Sequence, residues 1–336
     1  MVDPEEPELS TGGGVLVARP PVARLPDVLL RYGLGALAIV LVALIAFFFV
    51  RLAGEAAPAF EREGIFGFVF KNDWNPSKDS FGALPLLIGT LITSGIALII
   101  GVPVAVATAL YATELAPRRI RSTLTIVVEL LAAVPSVVYG LWGIFFLAPH
   151  FKGVEQWIAD TFSFVPFVGG GAVTIPNYFV AGLVLAIMIL PIVSAISRES
   201  MSAVPEDQKE AALALGATRW EMIRLSVLPF SRTGIVGGAM LGLGRAIGEA
   251  IAVAILIGNS PLLGKHLFGQ GYTLAASIAN EFGEAQGLHR SALFASGVVL
   301  FVLTFGIYAV ARAMVARASR VPGAGAAPAA DVAAGA

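Results

Sequence analysis

The chain contains no cysteine, which excludes disulfide cross-links and thiolate metal sites. Charge is scarce as well. Only 13% of the 336 residues are Asp, Glu, Lys or Arg, against roughly 25% in a soluble domain. The net charge of −1 leaves no clustered basic surface of the kind nucleic acid requires, so no nucleic-acid partner is expected. Histidine is limited to His150, His266 and His289, which fall in loops or at the ends of apolar runs, show no ligand spacing and read as scattered surface residues. No internal repeat of roughly 20–50 residues is visible. What remains is apolar: 57% hydrophobic residues and a mean hydropathy of +0.83, the composition of an all-α polytopic membrane protein.

Six apolar runs reach spanning length, which is about 20 residues: 32–50, 84–110, 124–148, 178–196, 234–258 and 291–311. The first is longer than the ~7–15-residue core of a signal peptide and reads as a retained helix, although Ala57-Pro-Ala59 offers a weak cleavage pattern. Prolines interrupt several runs, Pro85 and Pro103 in the second, Pro135 in the third and Pro191 in the fourth. Each leaves a backbone carbonyl unpaired and is expected to kink its helix.

Basic residues set the orientation. Arg118, Arg119 and Arg121 join spans two and three; Arg198, Lys209, Arg219, Arg224 and Arg232 lie between spans four and five; Arg312, Arg317 and Arg320 follow span six. These loops and both termini are therefore expected in the cytosol. Trp74, Trp142, Trp157 and Tyr178 are placed at or beyond the opposite ends, as an interfacial belt. The expected organisation is a disordered cytosolic tail over 1–27, a first span over 28–51 and an extracytoplasmic loop over 52–83. A five-helix domain over 84–315, with a polar cytosolic loop at 204–232, and a disordered tail over 316–336 complete it.

Span five carries Arg245 and Glu249, spaced to share one helix face. Arg245 falls near the middle of the run, more than about 10 Å from either end, too far to reach an interface easily. Ionisable groups so placed are costly and mark pathways or partners. An internal ion pair that locks helix packing is one reading. The other is an anion path, in which the planar guanidinium binds an oxyanion by paired hydrogen bonds and the carboxylate keeps the anion from being trapped. Gly234, Gly237, Gly238, Gly242, Gly244 and Gly248 around the pair read as helix-packing surface. Glu129, near the inner end of span three, is a weaker path candidate. Two nucleotide motifs fail. Gly242, Gly244 and Gly248 have the wrong spacing for a dinucleotide loop, and Gly258, Gly264 and His266 cannot build a phosphate-binding loop. Any energy from ATP is expected to come from a partner.

The polar loop also carries a resemblance. Glu210, Ala211, Ala212, Gly216, Leu228 and Pro229 fit the pattern E-A-A-x3-G-x9-I-x-L-P, with Ser226 at the isoleucine position as its one departure. This is the EAA loop of ABC importer permeases, which in that family forms two short helices around the glycine and docks on a cytosolic ATPase. From Phe81 onward the chain resembles the PstC-type permease subunit of bacterial phosphate ABC importers. Residues 85–117, 134–149, 237–259 and 277–285 carry the likeness, notably G-R-A-I-G-E at 244–249 and S-I-A-N-E-F at 277–282. The resemblance implies a type I (MetI-like) permease with six transmembrane helices, a subunit without catalytic activity. It implies a homologous PstA-type permease as partner, two PstB-type ATPases that hold ATP and Mg, and an external PstS-type phosphate-binding protein. No cofactor is expected on this chain, only surrounding membrane lipid. It also implies that Arg245 and Glu249 serve substrate passage. A permease for sulfate or molybdate would share the R-A-x-G-E core. An ion-coupled secondary transporter would leave residues 204–232 unexplained, and a signalling scaffold would not need an arginine at the midplane.

Overall fold

The computed structural model describes residues 25–169, 171–264 and 266–318. The tails expected over 1–27 and 316–336 lie outside the described residues, save that 25–27 open the first helix and 316–318 close the last. The chain separates into two units, residues 1–51 and residues 52–336. The first holds the apolar part of α1 (Leu25–Glu63), where nearly every side chain from Val28 to Val50 is exposed. A helix apolar on all sides is what a lipid-facing span requires.

In the second unit the end of α1 leads to α2 (Ile65–Phe70) and a short antiparallel pair, β1 (Trp74–Asn75) and β2 (Ser80–Phe81), with Trp74 opposite Phe81. Then follow α3 (Leu84–Leu110), α4 (Arg118–Ala133), α5 (Ser136–Trp142), α6 (Ala148–Thr161) and α7 (Tyr178–Ser202). The polar loop forms α8 (Glu206–Ala214) and α9 (Arg219–Met222), and α10 (Leu228–Gly248), α11 (Ile251–Leu256), α12 (Leu274–Glu281) and α13 (Gly287–Ala318) complete the chain. π-helical turns extend α3 to Leu115, join α5 to α6 and lead from α9 into α10.

The core is built on α3 and α7, which pack most extensively, with α10 laid on α7. Close approach depends on small residues. Gly101 of α3 lies against the Ala186 carbonyl and Ile189 of α7, and Gly182 of α7 lies against Ile96 of α3. The Thr90 hydroxyl, buried in α3, accepts a hydrogen bond from the Leu274 N–H at 3.0 Å and so ties α12 to the bundle. Thr273 caps α12 through the Ala276 N–H at 3.2 Å.

Among the described residues five helices are long and apolar enough to cross a membrane: Val28–Glu63, Leu84–Leu115, Ser136–Thr161, Tyr178–Ser202 and Gly287–Ala313. The chain is thus a multi-pass membrane protein. Two expected spans differ. The third was placed at 124–148, but the helix stops at Val134 and Pro135, both extended, and resumes from Ser136 to Thr161. Proline has no N–H to donate and drives the residue before it out of the helical region. The fifth, expected over 234–258, is present but divided: Glu249 adopts φ −72°, ψ 118°, and a new helix starts at Ile251.

Candidate substrate path and coupling loop

Arg245 stands in the last turn of α10. Its helix is held through glycines. Gly234 lies against Ser200, Gly238 against Ile196, Gly242 against Val193, and Gly244 under the Tyr308 hydroxyl of α13. These four glycines are packing surface, as the sequence suggested, whereas Gly237 and Gly248 face open space. Gly237, Leu241, Arg245 and Gly248 form an exposed strip at helical spacing. Arg245 therefore lies on a face that the described residues leave uncovered.

The expectation that Arg245 and Glu249 share one helix face is corrected. Glu249 has left the helix, and among the described residues no ion pair or hydrogen bond joins the two. Instead a Glu249 carboxylate oxygen accepts the Ala252 N–H at 3.3 Å and caps the start of α11. Ala252 in turn abuts Gly140 of α5, so the two broken spans meet at their breaks. Next to Gly140, the Tyr139 hydroxyl donates at 2.7 Å to the Leu131 carbonyl at the end of α4, which also accepts the Val134 N–H at 3.4 Å.

Glu129 is exposed on α4 and pairs with Arg198 of α7, Oε1 to Nη2 3.4 Å. The other Arg198 nitrogen, Nη1, donates to the Thr125 hydroxyl at 2.5 Å. A cavity of about 200 Å³ opens between these helices, walled by Val128 and Ala132 on one side and Pro191 and Ile192 on the other. From the sequence alone Arg198 reads only as one of the basic residues that set the expected orientation.

The polar loop has the form that the resemblance implied. α8 ends in a Schellman motif: the Ala217 N–H bonds the Ala212 carbonyl at 3.2 Å and the Gly216 N–H bonds the Leu213 carbonyl at 3.0 Å. Gly216 takes φ +86°, with no atom within 4 Å of where a Cβ would stand. The position thus requires a left-handed backbone rather than a small side chain. α9 begins with a reciprocal cap, in which the Thr218 hydroxyl accepts the Glu221 N–H and the Glu221 carboxylate accepts the Thr218 N–H at 2.8 Å. Those bonds from the Thr218 backbone and hydroxyl hold the Glu221 carboxyl below its ordinary range. Glu210 and Ala211 are exposed, while Ala212 and Leu228 pack on a small core of Ala109, Met201, Val204, Met222, Ile223 and Val227. Pro229 sits in the first turn of α10, where its missing N–H costs nothing. Ser226, the departure from the motif, donates to the Gln208 carbonyl at 3.4 Å. Lys209 bonds Glu114 at 3.0 Å with both side chains largely buried, fastening the loop to the end of α3. Leu215, Trp220 and Leu225 are left exposed.

Two carboxylates carried no signal in the sequence, the buried Glu155 and the half-buried Glu281. Glu155 of α6 is fully buried and accepts from the Asn177 side chain at 3.1 Å, the same Asn177 that caps α7 through the Val180 N–H. Glu281 accepts from Trp74 Nε1 at 3.0 Å and lies 2.8 Å from His289 Nε2. His289 also stacks on Phe81 at 5.4 Å, so it is not a scattered surface histidine. Trp74 and Tyr178, placed in an interfacial belt, are buried, whereas Trp142 and Trp157 are exposed. Side chains more than 200 positions apart close the Glu281 cluster, and sequence spacing cannot announce such a contact.

Residues 101–320 match the family described as binding-protein-dependent transport system inner membrane component. The "Phosphate transport system permease protein PstC" of Pasteurella multocida (strain Pm70) is 44% identical over 263 residues, 77% of this chain and 82% of the relative. The protein of that name in Xylella fastidiosa (strain Temecula1 / ATCC 700964) is 42% identical over 86% of this chain and 90% of its own. The Mycobacterium tuberculosis (strain ATCC 25618 / H37Rv) "Phosphate transport system permease protein PstC 2" is 41% identical over 83% and 88%. Among solved structures, a chain of the bacterial alginate ABC transporter in complex with its alginate pentasaccharide-bound periplasmic protein superposes with a TM-score of 0.61 at 20% identity, over 88% of this chain and 99% of that one. A chain of the inward-facing MetNI methionine ABC transporter gives 0.51 at 19%, over 71% and 95%. At those identities the structures show a shared ABC permease fold and no more. Likeness of 41–44% over most of the length does more: the chain belongs to the binding-protein-dependent transport system inner membrane component family, among its PstC-type permeases.

Proposed function

We propose that this chain is the permease subunit of an ATP-driven importer that carries inorganic phosphate across the cytoplasmic membrane into the cell. The observation that carries the reading is Arg245. It lies 17 residues past the start of α10 at Leu228, about 26 Å along the axis, on a face the described residues do not cover. A guanidinium offers a fixed charge and paired donors to a phosphate oxyanion. Glu249 tempers that attraction, so that the anion is released rather than stored. A PstA-type permease would cover the open face and complete the path.

The polar loop at 204–232 supports coupling to a PstB-type ATPase. Two copies of that partner hold ATP and Mg, and this chain holds neither. Leu215 and Trp220 are the apolar groups offered to the ATPase, and Lys209–Glu114 passes its movement to α3. Loops and both termini on that side are cytosolic, and a PstS-type phosphate-binding protein docks on the other face. Closing the ATPase dimer around ATP would then tip the bundle as a rigid body between two openings.

Uptake of labelled phosphate into liposomes holding the chain with its partner subunits tests this. Uptake is expected only with internal ATP and external binding protein, with arsenate competing and sulfate not. Transport by the chain alone, without an ATPase, would overturn the reading.

A further inference from the structure

Resting on that phosphate-path reading, we infer that Arg198 is a second anion-binding station on the release side of the path, with Glu129 as the carboxylate that displaces the anion from it. The site takes a small oxyanion, inorganic phosphate in this importer.

Depth comes first. Gly234 meets Ser200 and Gly238 meets Ile196 across the antiparallel α7–α10 contact, which sets Arg198 level with Val236. That is nine residues short of Arg245, about 14 Å nearer the cytosol. Between the two levels lies the cavity of about 200 Å³. Its upper wall, at Pro191 and Ala132, adjoins Leu131, whose carbonyl accepts from the Tyr139 hydroxyl, and the next residue, Gly140, meets Ala252 in the segment that follows Arg245. At its lower end stand the two charged lining residues, Arg198 and Glu129.

Chemistry comes second. The walls between are apolar, so an anion leaving Arg245 finds no group to hold it before Arg198. A guanidinium has five N–H donors. Thr125 and Glu129 take one bond each, and the rest remain for an oxyanion. As a structural clamp the pair is poor: it is long at 3.4 Å and the Glu129 side chain is 63% exposed, the setting in which ion pairs contribute little. As a site it repeats the logic of Arg245, a cation whose grip a nearby carboxylate limits.

The native chain has no cysteine, so Ala195→Cys places its single thiol on the cavity wall. In membranes carrying the whole importer, a negatively charged methanethiosulfonate is expected to modify it, and inorganic phosphate to slow that modification at least threefold. The protection is expected to vanish with Arg198→Gln and to persist with Arg198→Lys. In cells, Arg198→Gln should cut maximal uptake at least tenfold while the half-saturating phosphate concentration, set by the external binding protein, moves less than twofold. Glu129→Gln breaks the pair but keeps the cation, and should assemble normally, with stronger phosphate protection and slower turnover. Protection that survives Arg198→Gln, wild-type uptake by Arg198→Gln, or failed assembly of both variants would each overturn the inference. Arg245→Gln run alongside separates the two readings. If it abolishes uptake while Arg198→Gln does not, the second station falls and the path stands; if Arg245→Gln transports normally, the path itself falls.

Discussion

α3 and α7 cross the bundle without a break, whereas the segments α4–α5 and α10–α11 stop partway and start again. Proline alone does not explain the difference, although Pro135 stands at the α4–α5 break. Pro103 and Pro191 sit inside the unbroken pair, while the Glu249 break contains no proline. What separates them is packing. α3 and α7 bury small residues against each other along their length, and neighbouring groups cover whatever a proline leaves unpaired. The broken α10 packs on α7, α3 and α13, yet the described residues leave open the strip through Gly237, Leu241 and Arg245. The ends of the broken segments are finished by local devices, Tyr139 on the Leu131 carbonyl and Glu249 on the Ala252 N–H. Glu129, Arg245 and Glu249 all belong to broken segments, and Arg198 of α7 pairs with Glu129. Continuous helices make the frame, and interrupted ones carry the work.

The comparison can be broken most severely in the frame. A Cβ at Gly182 would stand 2.6 Å from Cβ of Ile96, so Gly182→Val forces α3 and α7 apart at a cost of about 1–3 kcal/mol or more. Loss of monodisperse protein in detergent is expected, while Gly237→Ala on the open strip should leave yield unchanged. The coupling loop should respond less. Gly216→Ala has room for its methyl group but not the backbone angle, a cost of about 1–2 kcal/mol. Uptake per ATP hydrolysed should fall several-fold, and Gly216→Asn, which tolerates the left-handed region better, should keep more of it. Equal loss with both would point to size instead. The smallest effect is one of pH. The Glu221 carboxyl is held below its ordinary value of 4.5 by the Thr218 N–H and hydroxyl. A depressed pKa gives stabilisation that is complete above the unfolded value and fades as pH falls through the folded one. Amide exchange in residues 218–223, corrected for intrinsic pH dependence, should therefore be flat from pH 8 to about 5 and rise only below the glutamate range. In Glu221→Gln that rise should be absent.

Local signals made much of this fold legible. Apolar run length marked α1, α3, α7 and α13, and the resemblance carried by Glu210 to Gly216 implied two short helices around the glycine, though not its left-handed backbone. Legibility failed where tertiary contact decides. A four-residue spacing put Arg245 and Glu249 on one face, yet that spacing has meaning only while the helix continues, and Glu249 left it to cap α11. Hydropathy drew span three across Pro135 because a window average cannot register one missing N–H. Arg198 was legible only as a cytosolic loop charge, and Glu155 and Glu281 carried no local signal, because their partners lie from 22 to 207 positions away.

The central claim is that Arg245 carries the anion while the loop at 204–232 carries the force. ATP hydrolysis and phosphate uptake, measured together in liposomes holding the complete importer with Arg245→Gln, test it most directly. Hydrolysis stimulated by the binding protein should persist with uptake reduced at least a hundredfold. Uptake at the wild-type rate in that variant would contradict the account.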